Sequence, residues 1–326
     1  MKLARLRAGG RDGTLIVVDD ALTQGLVADD IAPTLQAALE NWHAVEAPLR
    51  DAAAALDGGT ARDAFALDLA ALASPLPRSY QFLDGSVYLH HMARARRARG
   101  VPMPPEYETE PLMYQGVSDG FRGPTEPMPL PSEDLDIDFE AEIAVIVDDV
   151  PMGVSVDAAA GHIRLLMLMN DFTCRALTRT ELPKGFGFLQ SKPTSSFSPV
   201  AVTPDTLGAA WNGERLAGRL CSWVNGRAIG TPDAATDMFF TYPRLIAHAA
   251  RTRRLGAGTI IAAGAVSNRD PASGHGCLAE ARVDEEMTTG RATTPWLRFG
   301  DVVRIEMCGA DGRSIFGAIE QPVVAA

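Results

Sequence analysis

The sequence predicts an α+β protein dominated by strands, with a small α/β unit at the amino terminus and a larger strand-rich body behind it. Three observations lead there. Beyond residue 75 the apolar runs are short and broken by Gly and Pro, as in Phe139 to Val147, Leu165 to Met169, Leu220 to Val224, Thr259 to Ala262 and Val302 to Met307, a pattern of strands joined by turns. Helical signal in that body is mainly confined to Asp157 to Leu165, the stretch after Asp171, and Thr241 to Thr252. That is too little for a doubly wound βαβ array. The first 75 residues read differently, as one hairpin and one helix.

Met1 to Asp20 alternates apolar and polar residues around Gly9-Gly10-Arg11-Asp12-Gly13, so a hairpin is expected. Ile31 to Leu56 is rich in Ala, Leu and Glu and spaces Leu35, Leu39, Trp42 and Val45 at three and four residues, which predicts one helix closed by Gly58-Gly59. Ala73-Ser74-Pro75-Leu76-Pro77-Arg78 has the make-up of a linker. The expected division is a small amino-terminal domain at residues 1–75 and a main domain at 76–326.

With 326 residues, 46% of them hydrophobic and 22% charged, the chain has the composition of a folded protein with a sizeable core. Its net charge of -11 offers no basic footprint to a phosphate backbone, which argues against nucleic-acid binding. Arg94, Arg96, Arg97 and Arg99 form a local cluster, read as a solvated helix face in preference to an anion-steering patch. Cys174, Cys221, Cys277 and Cys308 lie far apart without CxxC spacing and are expected as reduced core thiols. The amino terminus has no apolar signal core, and no run approaches the roughly 18 apolar residues of a membrane span. A cytoplasmic protein with no membrane partner is expected.

Three acidic motifs carry the chemistry. In Asp138-Phe-Glu140-Ala-Glu142-Ile-Ala-Val-Ile-Val, strand alternation puts Glu140 and Glu142 on one face, roughly 6.5 Å apart, with Phe139, Ala141, Ile143, Val145 and Val147 on the other. The pair is either a solvated outer face or a buried site that needs a cation. Ala144 and Ile146 on the same face favour burial. The apolar run Leu165 to Met169 stops at Asn170-Asp171, where Asp171 either caps the next turn or reaches a metal. Asp84 precedes the pair His90-His91, but no Cys or further His is near in sequence to complete a nitrogen-rich zinc set. An all-oxygen set suits Mg2+, Ca2+ or Mn2+.

Taken in order, Asp84 with His91 seven residues on, Tyr114-Gln115-Gly116, Glu140-Ala141-Glu142, Asn170-Asp171 with Arg175, Lys192, and Leu278-Ala279-Glu280 resemble the fumarylacetoacetate hydrolase superfamily, from Gln81 to the end of the chain. The resemblance implies a mixed β-roll catalytic domain, a homodimer, and a divalent cation, Mg2+ or alternatively Mn2+ or Ca2+, with no organic cofactor. It implies that Asp84, Glu140, Glu142 and Asp171 ligate the cation and that His91 is a general base oriented by Glu280. Arg175 and Lys192 would hold a substrate carboxylate or carbonyl and face the developing oxyanion, with Tyr114 lining the same pocket. Read alone, Arg175 and Lys192 are surface charges; their register with Asp171 places them in the site.

The chain departs from the family pattern where many members carry Gly-Thr after an apolar strand. Here Ala263-Gly264-Ala265-Val266-Ser267-Asn268 stands instead, so the threonine contact to substrate is either missing or supplied by Ser267. Pro193-Thr194-Ser195-Ser196 follows Lys192 in place of a glycine-bearing loop, and Thr178 stands where fumarylacetoacetate-cleaving members use Gln. The implied activity is hydrolysis of a carbon-carbon bond in a small 1,3-dicarbonyl acid of the fumarylacetoacetate or acylpyruvate type, in aromatic or amino-acid catabolism. The same platform serves decarboxylation or tautomerisation of oxaloacetate-like acids, hydration of a 2-oxo-dienoate, and dehydration of a sugar acid. A non-catalytic metal or metabolite binder would leave His91, Lys192 and Arg175 without a purpose.

Overall fold

A computed structural model describes residues 1–326. One mixed sheet of eleven strands runs through the amino-terminal unit and the main body. Its order is Phe65–Ala66, Gln24–Val27, Thr14–Val18, Lys2–Leu6, Val200–Val202, Ile163–Asn170, Ala141–Val147, Ile260–Ala262, Phe82–Gly85 and Met113–Gln115, with Ser196–Phe197 paired to the end of Ile163–Asn170. The pairing is antiparallel throughout except between Ile260–Ala262 and Phe82–Gly85. A second sheet joins Arg227–Gly230, Leu220–Val224, Val302–Met307, Ile319–Ala325 and Met128–Leu130. The α+β, strand-dominated architecture is thus as the sequence predicts.

Alternation divides the large sheet between two cores. Ile143, Val145, Val147, Leu166 and Leu168 face the larger one, and Ala144, Ile146, Leu165, Met167 and Met169 face the smaller. A strand covered on both sides reads as an unbroken apolar run, as Leu165 to Met169 does. Two helices, Leu35–Glu40 and Trp42–Asp57, close the smaller core with Leu35, Leu39, Trp42, Val45 and Leu49.

Several expected elements differ. The helix foreseen from Ile31 to Leu56 is two, because Asn41 leaves helical geometry at φ -130° and serves as C-cap of one and N-cap of the next. Asp157 to Leu165 holds only the end of the short helix Val156–Ala159 and the 3-10 turn Ala160–His162, and is strand from Ile163. The strand foreseen from Phe139 begins at Ala141, since Ile137–Asp138 pairs separately with Thr173–Cys174. Cys308 is exposed and Cys221 half-buried, so only Cys174 and Cys277 are core thiols. The helix Leu278–Thr289 is not visible as an apolar stripe, since it buries only Leu278, Glu280 and Val283. No helix is long and apolar enough to cross a membrane.

Candidate metal centre and active site

The polar site begins where the smaller core gives out. On the face that carries Phe82, Ala144 and Met169, the next residues of the same parity are Asp84, Glu142 and Asp171. Ala262 pairs with Asp84 on one side and Ala144 on the other, and Glu142 lies opposite Met169. The register brings one oxygen of each acid to within 4.8 Å of the others.

Glu140 is 4% exposed and Glu142 and Asp171 are 0%, which rules out a solvated outer face. Burial, then the carboxylate of Asp171, pushes Asp84 up to about 8. Burial and the facing Asp84 likewise raise Glu142 well above the usual range. Asp84 Oδ1 and Glu142 Oε1 have no hydrogen-bond partner, while Glu142 Oε2 accepts from the Gly264 amide at 3.1 Å. Gly264 has φ +85°, and a Cβ there would lie 2.5 Å from the Gly85 carbonyl, so the approach of that amide requires glycine. Like charges with orphaned oxygens in a buried cluster are costly. A hard divalent cation relieves that cost, and the donor set fits one.

Glu140 stands beside this cluster. Lys192 Nζ donates to Glu140 Oε2 at 2.5 Å and also to Asp171 Oδ2. Arg175 donates to Glu140 Oε1 at 2.7 Å and to Asp138 Oδ2 at 2.9 Å. Burial opposes the charge on Glu140, but Lys192 and then Arg175 hold its carboxyl well below the ordinary range. Asp171 also accepts from Tyr114 Oη at 2.7 Å and Ser195 Oγ at 2.8 Å.

His91 lies in the first turn of the helix Leu89–Ala98, and Glu280 in the first turn of Leu278–Thr289. His91 Nδ1 is 3.0 Å from Glu280 Oε1, and Nε2 is 3.8 Å from Glu140 Oε1. Cys277, three residues before Glu280 but distant in sequence from His91, comes within 4.8 Å of ligand atoms of both. Burial pushes its thiol well above the ordinary value.

Asp138 is a further residue of the site, outside the set to which the sequence motifs point. Its Oδ1 accepts from the amides of Phe139 at 2.9 Å and Leu278 at 2.8 Å, and its Oδ2 from the Ala279 amide at 3.0 Å as well as from Arg175. It therefore caps, from another strand, the helix that carries Glu280. The signal was its parity: Asp138 stands two residues before Glu140 in the same acidic run.

A cavity of about 340 Å3 lies over these groups, with Asp84, His91, Tyr114, Glu140, Arg175 and Lys192 on its wall. Glu142, Asp171 and Glu280 sit behind that wall. Ser267 is not on it either, contrary to expectation. It is 1% exposed and accepts from Arg94 at 3.3 Å, because the chain turns inward after Ala265 and leaves Gly264 and Ala265 facing the cavity. Thr178 does line the cavity, with its hydroxyl bonded to the Arg175 carbonyl at 2.7 Å.

A strand-dominated body with buried carboxylates beneath a cavity of mixed lining is compatible with a class that takes small molecules and a divalent cation. Sequence comparison makes the assignment particular. The family model described as fumarylacetoacetate (FAA) hydrolase C-terminal matches residues 81–324, and that of fumarylacetoacetase N-terminal domain 2 matches residues 1–78. The chain belongs to the fumarylacetoacetate hydrolase family.

It is 24% identical over 209 residues to a 2,4-didehydro-3-deoxy-L-rhamnonate hydrolase of Sphingomonas sp. (strain SKA58), a match covering 60% of this chain and 69% of that one. It is 25% identical over 229 residues to a mitochondrial oxaloacetate tautomerase of Xenopus laevis, covering 69% of this chain and 60% of that relative, less than two thirds of its length. Among solved structures, maleylpyruvate hydrolase from Sphingobium sp. SYK-6 in complex with manganese(II) and pyruvate has a TM-score of 0.64 at 17% identity, with 100% of both chains covered. At that identity the likeness is one of fold.

Proposed function

We propose that the chain is a divalent-cation-dependent hydrolase that cleaves a carbon-carbon bond in a small 1,3-dicarbonyl acid of the fumarylacetoacetate or acylpyruvate type. The observation that carries this reading is the His91–Glu280 pair at 3.0 Å, set 3.8 Å from Glu140 on the cavity wall. It is a base with an orienting partner, and hence a means to activate water.

Asp84, Glu142 and Asp171, with Glu140 at their border, would hold the ion. A bound divalent ion, Mg2+ in this reading, supplies a Lewis acid that polarises the substrate carbonyls. With its Nδ1–H held by Glu280, His91 presents Nε2 to take a proton from water. Lys192 and Arg175 aim cationic N–H groups at the oxyanion that forms when the water adds to a carbonyl. Collapse breaks the carbon-carbon bond, and the imidazolium of His91 returns its proton to the departing carbon. Tyr114, through its bond to Asp171, keeps the partner of Lys192 in place. The same reading takes residues 1–75 as an amino-terminal domain and 76–326 as the catalytic one, in a cytoplasmic homodimer that serves aromatic or amino-acid catabolism.

A second reading, tautomerisation of an oxaloacetate-like acid, is favoured by the oxaloacetate tautomerase relative. Isotopes separate the two. With Mg2+ and an acylpyruvate in 18O-water, hydrolysis gives two acids, and the new carboxylate gains label beyond carbonyl exchange. In D2O the carbon fragment takes one deuterium. Enol-keto conversion of oxaloacetate with no fragments from any diketone would establish the tautomerase instead.

A further inference from the structure

The cavity has a second charged region that the proposed chemistry does not use. The helix Leu89–Ala98 and its C-cap Arg99 present His91, Met92, Ala95, Arg96 and Arg99 to the cavity, which is one face at helical spacing. At about 1.5 Å per residue, Arg96 and Arg99 stand about 8 and 12 Å along the axis from His91. The helix Leu278–Thr289, packed against it, adds Arg282 and Val283. The arginine run is therefore not the solvated face the sequence suggested. Arg94 is buried and paired to Asp284, only Arg97 is fully exposed, and Arg96 and Arg99 are half-buried on the cavity wall.

Arg96, Arg99 and Arg282 lack counter-ions in a chain with 41 acidic residues. Arg96 Nη1 donates to the Pro102 carbonyl at 2.7 Å, while its buried Nε has no partner. Arg99 Nε donates to the Ala95 carbonyl at 3.2 Å. Burial, then the like charges of Arg96 and Arg175, pushes Arg99 below its ordinary value. Arg282 donates to the Thr294 carbonyl and stacks on Trp296 with Cζ 4.4 Å from the ring centre. The wall has one acid besides Asp84 and Glu140, the exposed Glu286, and it pairs with none of them. Met92, Val283 and Phe188 supply apolar surface on the same wall.

We propose that Arg96, Arg99 and Arg282 form a second anion subsite, so that the substrate carries a carboxylate at the end remote from its reacting carbonyls. This rests on the reading above, in which the cation-binding end takes the 2-oxo acid. Planar guanidinium forks suit a carboxylate, and the arginine stacked on Trp296 is pre-organised for it. The apolar wall suits the carbon chain between the two ends.

Calorimetry with Mg2+ tests the proposal on matched pairs that differ only in the far carboxylate: 2-oxoadipate against 2-oxohexanoate, and 2-oxopimelate against 2-oxoheptanoate. The diacid of at least one pair should bind about tenfold or more tightly, as charge-assisted bonds allow. Arg99→Met and Arg282→Met should each shrink that ratio to below about threefold while leaving the folded fraction unchanged by circular dichroism. Equal binding within both pairs, or a ratio untouched by both substitutions, overturns the subsite and leaves the proposed reaction standing. Adipate in chelator is the control for the opposite case. If no 2-oxo acid binds but adipate does so in an Arg99-dependent manner, the subsite stands and the reaction reading falls; if nothing binds, both fall.

Discussion

Asp138 and Glu142 belong to one acidic run, share a strand parity and are equally buried, yet their surroundings are opposite. Asp138 accepts four hydrogen bonds, three from amides and one from Arg175. Glu142 has one orphaned oxygen and faces Asp84 and Asp171. The first carboxylate has all it needs from the protein itself and acts as a fastener between a strand, a helix and a guanidinium. The second is at odds with its neighbours until a cation arrives. Burial alone therefore does not tell a structural acid from a ligand; the count of donors does.

Glu142→Gln should break this comparison most sharply. Turnover with Mg2+ should be lost. The thermal stabilisation that Mg2+ gives the parent, worth about 2.7 kcal/mol at one hundred times Kd, should vanish with it. In chelator the variant should melt no lower than the parent, because the amide replaces a carboxyl whose charge burial and Asp84 already oppose. A clear drop in chelator would mean that Glu142 was already satisfied.

Asp138→Asn comes next, since removing one partner of a buried ion pair costs about 3–5 kcal/mol. Urea titration should show that loss equally with and without Mg2+. A loss seen only with Mg2+ would move Asp138 into the cation group. The smallest of the three effects belongs to His91→Asn, where turnover should fall about 100-fold. The melting temperature and its response to Mg2+ should stay near those of the parent. Greater damage from His90→Asn would show that the wrong imidazole had been placed beside Glu280.

What could be read from the sequence was whatever is written in short-range alternation. Glu140 and Glu142 share a face because they are two residues apart, and the apolar Ala144 and Ile146 on that face announce burial. Asp171 follows directly on a strand covered on both sides. The donors to Asp138 could not be read this way, since Leu278 and Ala279 lie far along the chain and the helix they open has only a weak apolar stripe. Arg96 and Arg99 looked like solvent-facing charges because periodicity shows which residues share a helix face but not whether that face meets water or a cavity. Ser267 was placed by analogy with a threonine, and a backbone turn after Ala265 carried it out of the wall. The break at Asn41 is not legible in the sequence because Leu39 and Trp42 are buried in the same core on either side of it.

The parallel pairing of Ile260–Ala262 with Phe82–Gly85 has a consequence for how the centre comes into being. Asp84 and Glu142 are held in register only by the strand that lies between them, and that strand belongs to the last quarter of the chain. Non-local parallel contacts of this kind close large loops and form slowly. During synthesis the acidic run, Asp171 and Lys192 all emerge well before Ile260 does. The nascent protein thus carries its carboxylates unassembled, and a truncated chain that stops short of this strand would have every proposed ligand yet no centre to place them in.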